Sequence, residues 1–186
     1  MNTSALAKPR RRWLRFSMWV LFLLLVGTAV SLGWMINKAR QQGIAVAALK
    51  KMGCSVGCDM GDERPPTILE RLRKLLGEDE FRNVTMVNGY KSQMTDAGMA
   101  HLQELTQLTG LNLDGTQVAD AGLVHLEALT QLESLSLKGT QVTDAGLVHL
   151  RGLTELRAVD LSGTKVTNAE VQELQKALPD CWIVSP

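Results

Sequence analysis

Thr95-Asp-Ala-Gly-Met-Ala-His-Leu102, Ala119-Asp-Ala-Gly-Leu-Val-His-Leu126 and Thr143-Asp-Ala-Gly-Leu-Val-His-Leu150 are one phrase written three times at a spacing of 24 residues. A degenerate fourth copy begins Thr167-Asn-Ala-Glu-Val-Gln-Glu-Leu174. Leucines keep the same register at Leu105, Leu129 and Leu153, at Leu108, Leu132 and Leu156, and at Leu113, Leu137 and Leu161. A fixed period of this length predicts a solenoid, because a unit so short can bury its apolar face only against its neighbours.

Within a unit, Leu108-Thr-Gly-Leu111-Asn-Leu113-Asp-Gly-Thr116-Gln-Val118 follows the spacing L-x-x-L-x-L-x-x-N-x-L, with Thr where that pattern has Asn. On these residues the chain resembles the leucine-rich-repeat family over residues 81–186. The T-D-A-G-L-x-H-L phrasing looks like short bacterial, single-pass, membrane-anchored proteins of that kind. The T-D-x-G-L opening is shared with repeats that follow F-box motifs, but no F-box-like segment precedes it here. The resemblance implies an α/β fold, with a short strand on a concave parallel sheet and a helix on the convex side of each of four or five units.

The repeat carries its own local chemistry. Thr95, Thr143 and Thr167 stand where a hydroxyl caps a helix, with an acidic or amide residue next at the positive helix end. Thr167-x-x-Glu170 reads as a capping box, and Ala119 is a lost cap for which Asp120 is the substitute. Gly98, Gly122 and Gly146 form a column that predicts close backbone approach. Thr116, Thr140 and Thr164, preceded by Ser92, form another whose hydroxyls are expected to satisfy buried backbone groups.

The first strand is expected at Val84-Thr-Met-Val-Asn-Gly-Tyr90 and the last within Leu178-Pro-Asp-Cys-Trp-Ile-Val184. Ahead of them, residues 65–80 contain Pro65-Pro66 and then Ile68, Leu69, Leu72, Leu75 and Leu76 on one helical stripe, a candidate cap for the open solenoid end. Residues 37–64 read as a juxtamembrane helix, Lys38 to Met52, followed by an irregular link in which Ser55-Val56 is the single strand-like signal.

Residues 16–36 are 21 consecutive uncharged residues, including Val20-Leu-Phe-Leu-Leu-Leu-Val26. At about 1.5 Å per residue they reach across a hydrocarbon core of roughly 30 Å. Trp13 and Trp34 fall near the ends, where indoles prefer the interface. Lys8, Arg10, Arg11, Arg12 and Arg15 precede the stretch, so residues 1–15 are expected as a basic cytoplasmic tail and the repeats outside the cell membrane. The segment is longer than the 7–15-residue core of a cleaved signal peptide, despite the small Gly27-Thr28-Ala29. Gly27 with Ser31 and Ala29 with Gly33 are small-xxx-small pairs of the type that lets helices approach.

Composition narrows the function. Over 186 residues, 20 Lys and Arg balance 19 Asp and Glu, and this near-neutral charge argues against a nucleic-acid binder, which needs a basic surplus. Three cysteines do not make a multi-disulfide framework. Cys54-x-x-x-Cys58 is neither a redox C-x-x-C nor a haem attachment motif; in an oxidising compartment a small Cys54–Cys58 loop is one option, with Cys181 left over. His101, His125 and His149 lie in one column, close enough across turns of about 5 Å to suggest shared Zn²⁺, but repeat copying accounts for them as well. No nucleophile–base constellation and no phosphate loop is present in the sequence, so neither catalysis nor a cofactor is expected.

What remains is a surface. Strand alternation turns Met86, Asn88, Tyr90, Gly110, Asn112, Asp114, Ser134, Ser136, Lys138, Ala158, Asp160, Ser162, Trp182 and Val184 outward, opposite the leucines. The candidate protein-binding residues are Tyr90, Asn112, Asp114, Ser134, Ser136, Lys138, Asp160, Ser162 and Trp182, with Tyr90 and Trp182 as anchors. For Trp182, a role covering the core edge is the alternative. On the convex side, Glu127 is expected opposite Arg151 and Glu133 opposite Arg157. The sequence thus predicts a membrane-anchored, non-catalytic protein-interaction module with an unidentified protein partner. The rival readings are a structural envelope protein that self-associates weakly, and a metal sensor built on the histidine column.

Overall fold

A computed structural model describes residues 12–58 and 84–186. The basic tail expected at 1–15 falls largely, and the capping stripe of 65–80 falls wholly, outside the described residues. The elements are α1 (Arg12–Lys51), β1 (Ser55–Cys58), β2 (Val84–Asn88), α2 (Asp96–Met99), β3 (Gly110–Asn112), α3 (Asp120–Leu123), β4 (Ser134–Ser136), α4 (Asp144–Leu147), β5 (Ala158–Asp160), α5 (Asn168–Ala177) and β6 (Trp182–Val184). They form two compact units, Met1–Lys38 and Ala39–Pro186.

The first unit contributes the apolar part of α1. Its described large apolar side chains between Met18 and Ile36 are exposed, Trp19, Phe22 and Leu25 among them. The Thr28 hydroxyl donates to the Leu25 carbonyl at 2.9 Å and that of Ser31 to the Thr28 carbonyl at 3.0 Å, so both polar atoms are satisfied within the helix. Lys38 Nζ lies 5.4 Å from the Trp34 ring centroid. By length and composition this helix is sufficient to cross a membrane.

In the second unit, six strands form one sheet in sequence order. Strands β2 to β6 are parallel, and their register steps by 24 residues from Met86 to Gly110, Ser134, Ala158 and Trp182. Val87, Leu111, Leu135 and Val159 stack behind the sheet, with Leu108, Leu132 and Leu156 and Leu113, Leu137 and Leu161 around them, all buried. Each buried Leu contributes roughly 1.5–3 kcal/mol of transfer free energy, so the repeated columns are the fold's main stabilising term.

The convex segments are shorter than full helices. Units at α2, α3 and α4 have only four α-helical residues before tightening into 3₁₀ turns at Ala100–Glu104, Val124–Leu126 and Val148–Leu150. Gly98, Gly122 and Gly146 sit in these turns, and glycine disfavours a helix interior. The last unit has Glu170 at that place and forms the ten-residue α5. The glycine is required because a Cβ on Gly146 would lie 2.5 Å from Asp120 Oδ1 and 2.9 Å from Leu123 Cδ1. A Cβ on Gly122 would lie 2.6 Å from Asp96 Oδ1.

The turn after each strand needs a left-handed residue. Gly115, Gly139 and Gly163 have φ of 65°, 66° and 69°, and Lys91 holds the same place in the first unit at φ 50°. Thr116, Thr140 and Thr164 then donate to the carbonyls of Leu113, Leu137 and Leu161 at 2.7, 2.6 and 2.7 Å, closing the turn as their column predicts.

The helix caps differ from expectation. Thr143 Oγ1 accepts from Ala145 N at 3.3 Å and Thr167 Oγ1 from Glu170 N at 3.4 Å, whereas Thr95 makes no side-chain cap. Asp120 does not cap its own helix either. Its carboxylate reaches forward one unit and accepts Thr143 N at 2.8 Å and Thr143 Oγ1 at 2.6 Å. Asp144 does the same to Thr167, at 2.6 and 2.9 Å, and Asp96 accepts Ala119 N at 2.8 Å. The Thr-Asp dipeptide is therefore a staple between units: each Asp satisfies the entry of the next turn. No Asp stands 23 residues ahead of Thr95 in the sequence, and among the described residues its hydroxyl has no equivalent holder. The capping box is half formed, since Glu170 Oε1 takes Arg151 Nη2 at 2.5 Å instead of turning back to Thr167.

Ala119 breaks the staple, having no hydroxyl to offer Asp96. Restoring it with Ala119→Thr is expected to stabilise the domain by about 1 kcal/mol, one added charge-assisted bond at a partly buried site. A denaturant midpoint that fails to rise would show that Asp96 Oδ2 is already satisfied by water.

The largest departure lies at the N-terminal end of the sheet. Residues 39–58, read from sequence as a helix and link preceding the repeats, are part of the second unit. Ala45, Val46 and Leu49 are buried in its core, and Met52 packs against it. Gln42 Nε2 donates to the Glu104 carbonyl at 3.1 Å. Gly53, at φ 87°, ends α1, with Cys54 N bonding back to the Leu49 carbonyl at 3.0 Å. The chain then enters β1, which pairs antiparallel with β2. The side chain of Cys58, and with it the small Cys54–Cys58 loop, lies outside the described residues.

Candidate protein-binding face

The outward sheet residues form three rows across the parallel strands, set by the register of β2 to β6. One row is Met86, Gly110, Ser134, Ala158 and Trp182. The next is Asn88, Asn112, Ser136, Asp160 and Val184. The third lies at the turns: Tyr90, Asp114, Lys138 and Ser162. All nine candidate residues lie on this one face.

Their availability differs sharply. Asn88 Oδ1 accepts Tyr90 N at 3.0 Å, Asn112 Oδ1 accepts Asp114 N at 2.9 Å, and Asp160 Oδ1 accepts Ser162 N at 2.8 Å. The middle row thus shapes the turns with its side chains. Asp114 also accepts the Ser136 hydroxyl and, at 3.2 Å, Lys138 N. Burial raises the Asp160 carboxyl, but the Ser162 hydroxyl and N–H bonds and the charge of Lys138 outweigh it and hold it below the usual carboxylate range. Asn112, Asp114, Ser136 and Asp160 are accordingly half-buried and internally engaged, whereas Tyr90, Ser134, Lys138 and Trp182 are exposed.

Trp182 is 76% exposed and Met86 61%. Trp182 does not cover the core edge; Val171, Leu174, Leu178 and Cys181 are buried at that end instead. Met86 is outside the nine residues that the sequence singles out. Its isolation comes from neighbours that lack side chains: Gly57 on β1 and Gly110 on β3 face it.

The other sequence candidates disperse. His125 Nδ1 is 2.8 Å from Gln103 Nε2, and His149 Nδ1 is 2.6 Å from Glu127 Oε1, so these rings are not paired with one another. Among the described residues no group of three or more His, Cys, Asp or Glu is placed to hold a metal ion. The expected Glu127–Arg151 and Glu133–Arg157 pairs do not form. Glu127 takes His149, Arg151 takes Glu170, and Arg157 lies 3.9 Å from Glu155. Cys54 and Cys181 are buried; burial pushes the Cys181 thiol up. An open polar groove of about 470 Å³ lies at the turns entering the strands, lined by Thr109, Thr130, Gln131, Glu133, Thr154 and Glu155.

A parallel sheet with one strand per 24-residue unit, leucine columns behind it and short helical turns on the other side is a leucine-rich-repeat solenoid. No protein-family model and no curated protein matches the chain. Solved structures do. An internalin from Listeria monocytogenes is similar at 26% identity and TM-score 0.41, over 47% of this chain and 24% of that one. Internalin C2 from the same species is similar at 22% identity and TM-score 0.39, over 55% and 51%. A leucine-rich-repeat protein from Leptospira interrogans is similar at 19% identity and TM-score 0.36, over 46% and 27%. The chain therefore spans between about a quarter and a half of the length of these structures.

Proposed function

We propose that this protein is a non-catalytic interaction module, held at the cell membrane by a single helix at residues 16–36, that binds a protein partner through its concave sheet. The observation carrying this reading is the pair of large exposed side chains, Met86 and Trp182, on a face whose central polar groups are already satisfied internally. The five-strand face measures only roughly 250 Å², against the roughly 800 Å² that each side of a stable interface buries. Anchoring both partners in one membrane supplies the missing affinity through effective concentration. The anchor is supported by the exposed apolar surface of α1. The basic excess ahead of it favours an inside tail and outside repeats.

Site-specific photo-crosslinking in intact membranes tests the reading, with the probe at exposed Ser134 and a control at exposed Gln172 on α5. A discrete heterologous band from Ser134 alone is the expected result. A band at twice the monomer mass would replace this reading with self-association, and equal labelling from both sites would remove the concave face as the binding surface.

A further inference from the structure

The glycine column meets a different atom in its first unit. At Gly122 and Gly146 the atom nearest the Cβ position is a carboxylate oxygen, Asp96 Oδ1 at 2.6 Å and Asp120 Oδ1 at 2.5 Å. The same oxygen accepts the backbone N–H three residues ahead of that glycine, from Ala119 and from Thr143, at 2.8 Å in both. At Gly98 the nearest atom is Met52 Sδ, at 2.7 Å. Met94 Sδ, at 2.8 Å, is the repeat's own contribution, as Val118 Cγ1 is at Gly122. The Met52 carbonyl also keeps the pattern: it accepts Gln93 N at 3.0 Å, as Met94 O accepts Gln117 N at 3.2 Å and Val118 O accepts Gln141 N at 2.9 Å. Met52, at the end of the α1 cap, therefore stands where the staple carboxylate of a preceding unit would. A thioether is a weak acceptor, and among the described residues neither Thr95 N nor Thr95 Oγ1 has a hydrogen-bond partner. Met94 and Met99 have no exposed surface, whereas Met52 keeps part of its surface in solvent.

We propose that Met52 is a methionine-oxidation site whose sulfoxide completes this staple and fastens the α1 cap to the first repeat. A peroxide is the oxidant. Its O–O bond breaks as an S–O bond forms on Sδ, the sulfur gives up two electrons, and the peroxide leaves as water or an alcohol. The new oxygen is one bond from Sδ, beside Gly98 as the Asp oxygens lie beside Gly122 and Gly146, and it accepts the Thr95 N–H. Oxidising a core methionine ordinarily loosens packing, because a polar group is left among apolar ones. At Met52 the polar group emerges next to an N–H that the thioether leaves without an acceptor, so the sign reverses. Reduction of the sulfoxide by a methionine sulfoxide reductase returns the unfastened form.

The test uses the full chain in mild detergent, treated with hydrogen peroxide. Oxidised methionines are mapped by mass spectrometry while amide exchange at Thr95 is followed. Met52 is expected to gain one oxygen before Met94 and Met99 do, and exchange at Thr95 to slow about fivefold or more, the effect of one added hydrogen bond. Met52→Leu should abolish the slowing even though exposed Met86 still oxidises. Met52→Gln carries an amide oxygen at the sulfoxide oxygen's place and should slow Thr95 without any oxidant; unchanged exchange at β5 and β6 shows that each variant is folded. Met52 left unmodified once Met86 is fully oxidised would overturn the site. Thr95 exchange that is unchanged or faster in the Met52-oxidised protein would overturn the staple, as would slowing that persists in Met52→Leu.

Discussion

Replacing Leu49 by Asp is expected to strip the N-terminal edge of the solenoid while leaving its far end folded. Leu49 has no exposed surface and lies in the same core as Val46, Met94 and Met99. Its carbonyl also accepts Cys54 N at the turn that directs the chain into β1. An unpaired carboxylate there costs several kcal/mol, about 4 or more once the lost apolar packing is included. Solenoid units interact only with neighbours, so the damage should be graded along the chain. In hydrogen exchange read by mass spectrometry, β1 and β2 amides should lose protection by at least a hundredfold, with β5 and β6 changed little. Uniform loss would mean that the domain unfolds as one unit. Unchanged exchange at β2 would mean that α1 is not its cap.

Gly146→Ala should be the most damaging single methyl addition in the repeats. The new Cβ would meet Asp120 Oδ1, Leu123 Cδ1 and, at 3.2 Å, the backbone Cα of Asp120. The carboxylate in the way is the one holding Thr143 N and Oγ1. Relief by moving Asp120 therefore loses two hydrogen bonds, and relief by moving backbone separates two units. Overpacking of about 1–3 kcal/mol and unsatisfied donors of about 1–3 kcal/mol combine to a loss of about 3 kcal/mol or more. Gly152→Ala is the matched control: nothing lies within 4 Å of its Cβ position, and its cost should stay within about 0.5 kcal/mol. Urea midpoints in mild detergent read both. Equal effects from the two variants would show that the glycine column does not report close approach.

These two sites differ in how far the sequence announced them. Gly146 belongs to a visible column, and close approach was the direct expectation from it. What the column could not reveal was the atom approached, because Asp120 looked like a helix cap for its own turn. Leu49 carried no signal of burial in the repeats at all. Gly43-Ile-Ala-Val-Ala-Ala-Leu49 is apolar like residues 16–36, and apolarity alone does not distinguish lipid from protein as the covering phase. Gly53 was the one available clue, a helix stop ahead of a β-prone Ser55-Val56.

The candidate face was legible in part. Period-2 alternation placed all nine residues on one side of the sheet, but it counted Asn112, Asp114 and Asp160 as available, when their side chains are spent on turns. It ranked Tyr90 above Met86 because aromatics dominate interfaces, without knowing that Gly57 and Gly110 leave Met86 standing alone.

The sequence by itself determined the period, the leucine columns, the direction each strand residue faces and the threonine hydroxyls that close the turns. Every one of these recurs at a constant offset of 24, so neighbouring units test the same contact repeatedly and the pattern can be read along the chain. Only the tertiary structure decided what caps the solenoid, which residue each Asp and His reaches, and which side chains stand unsupported on the concave face. Those contacts occur once, or at offsets of 22 and 23, and are fixed by the winding of the turns and the space left between units rather than by periodicity.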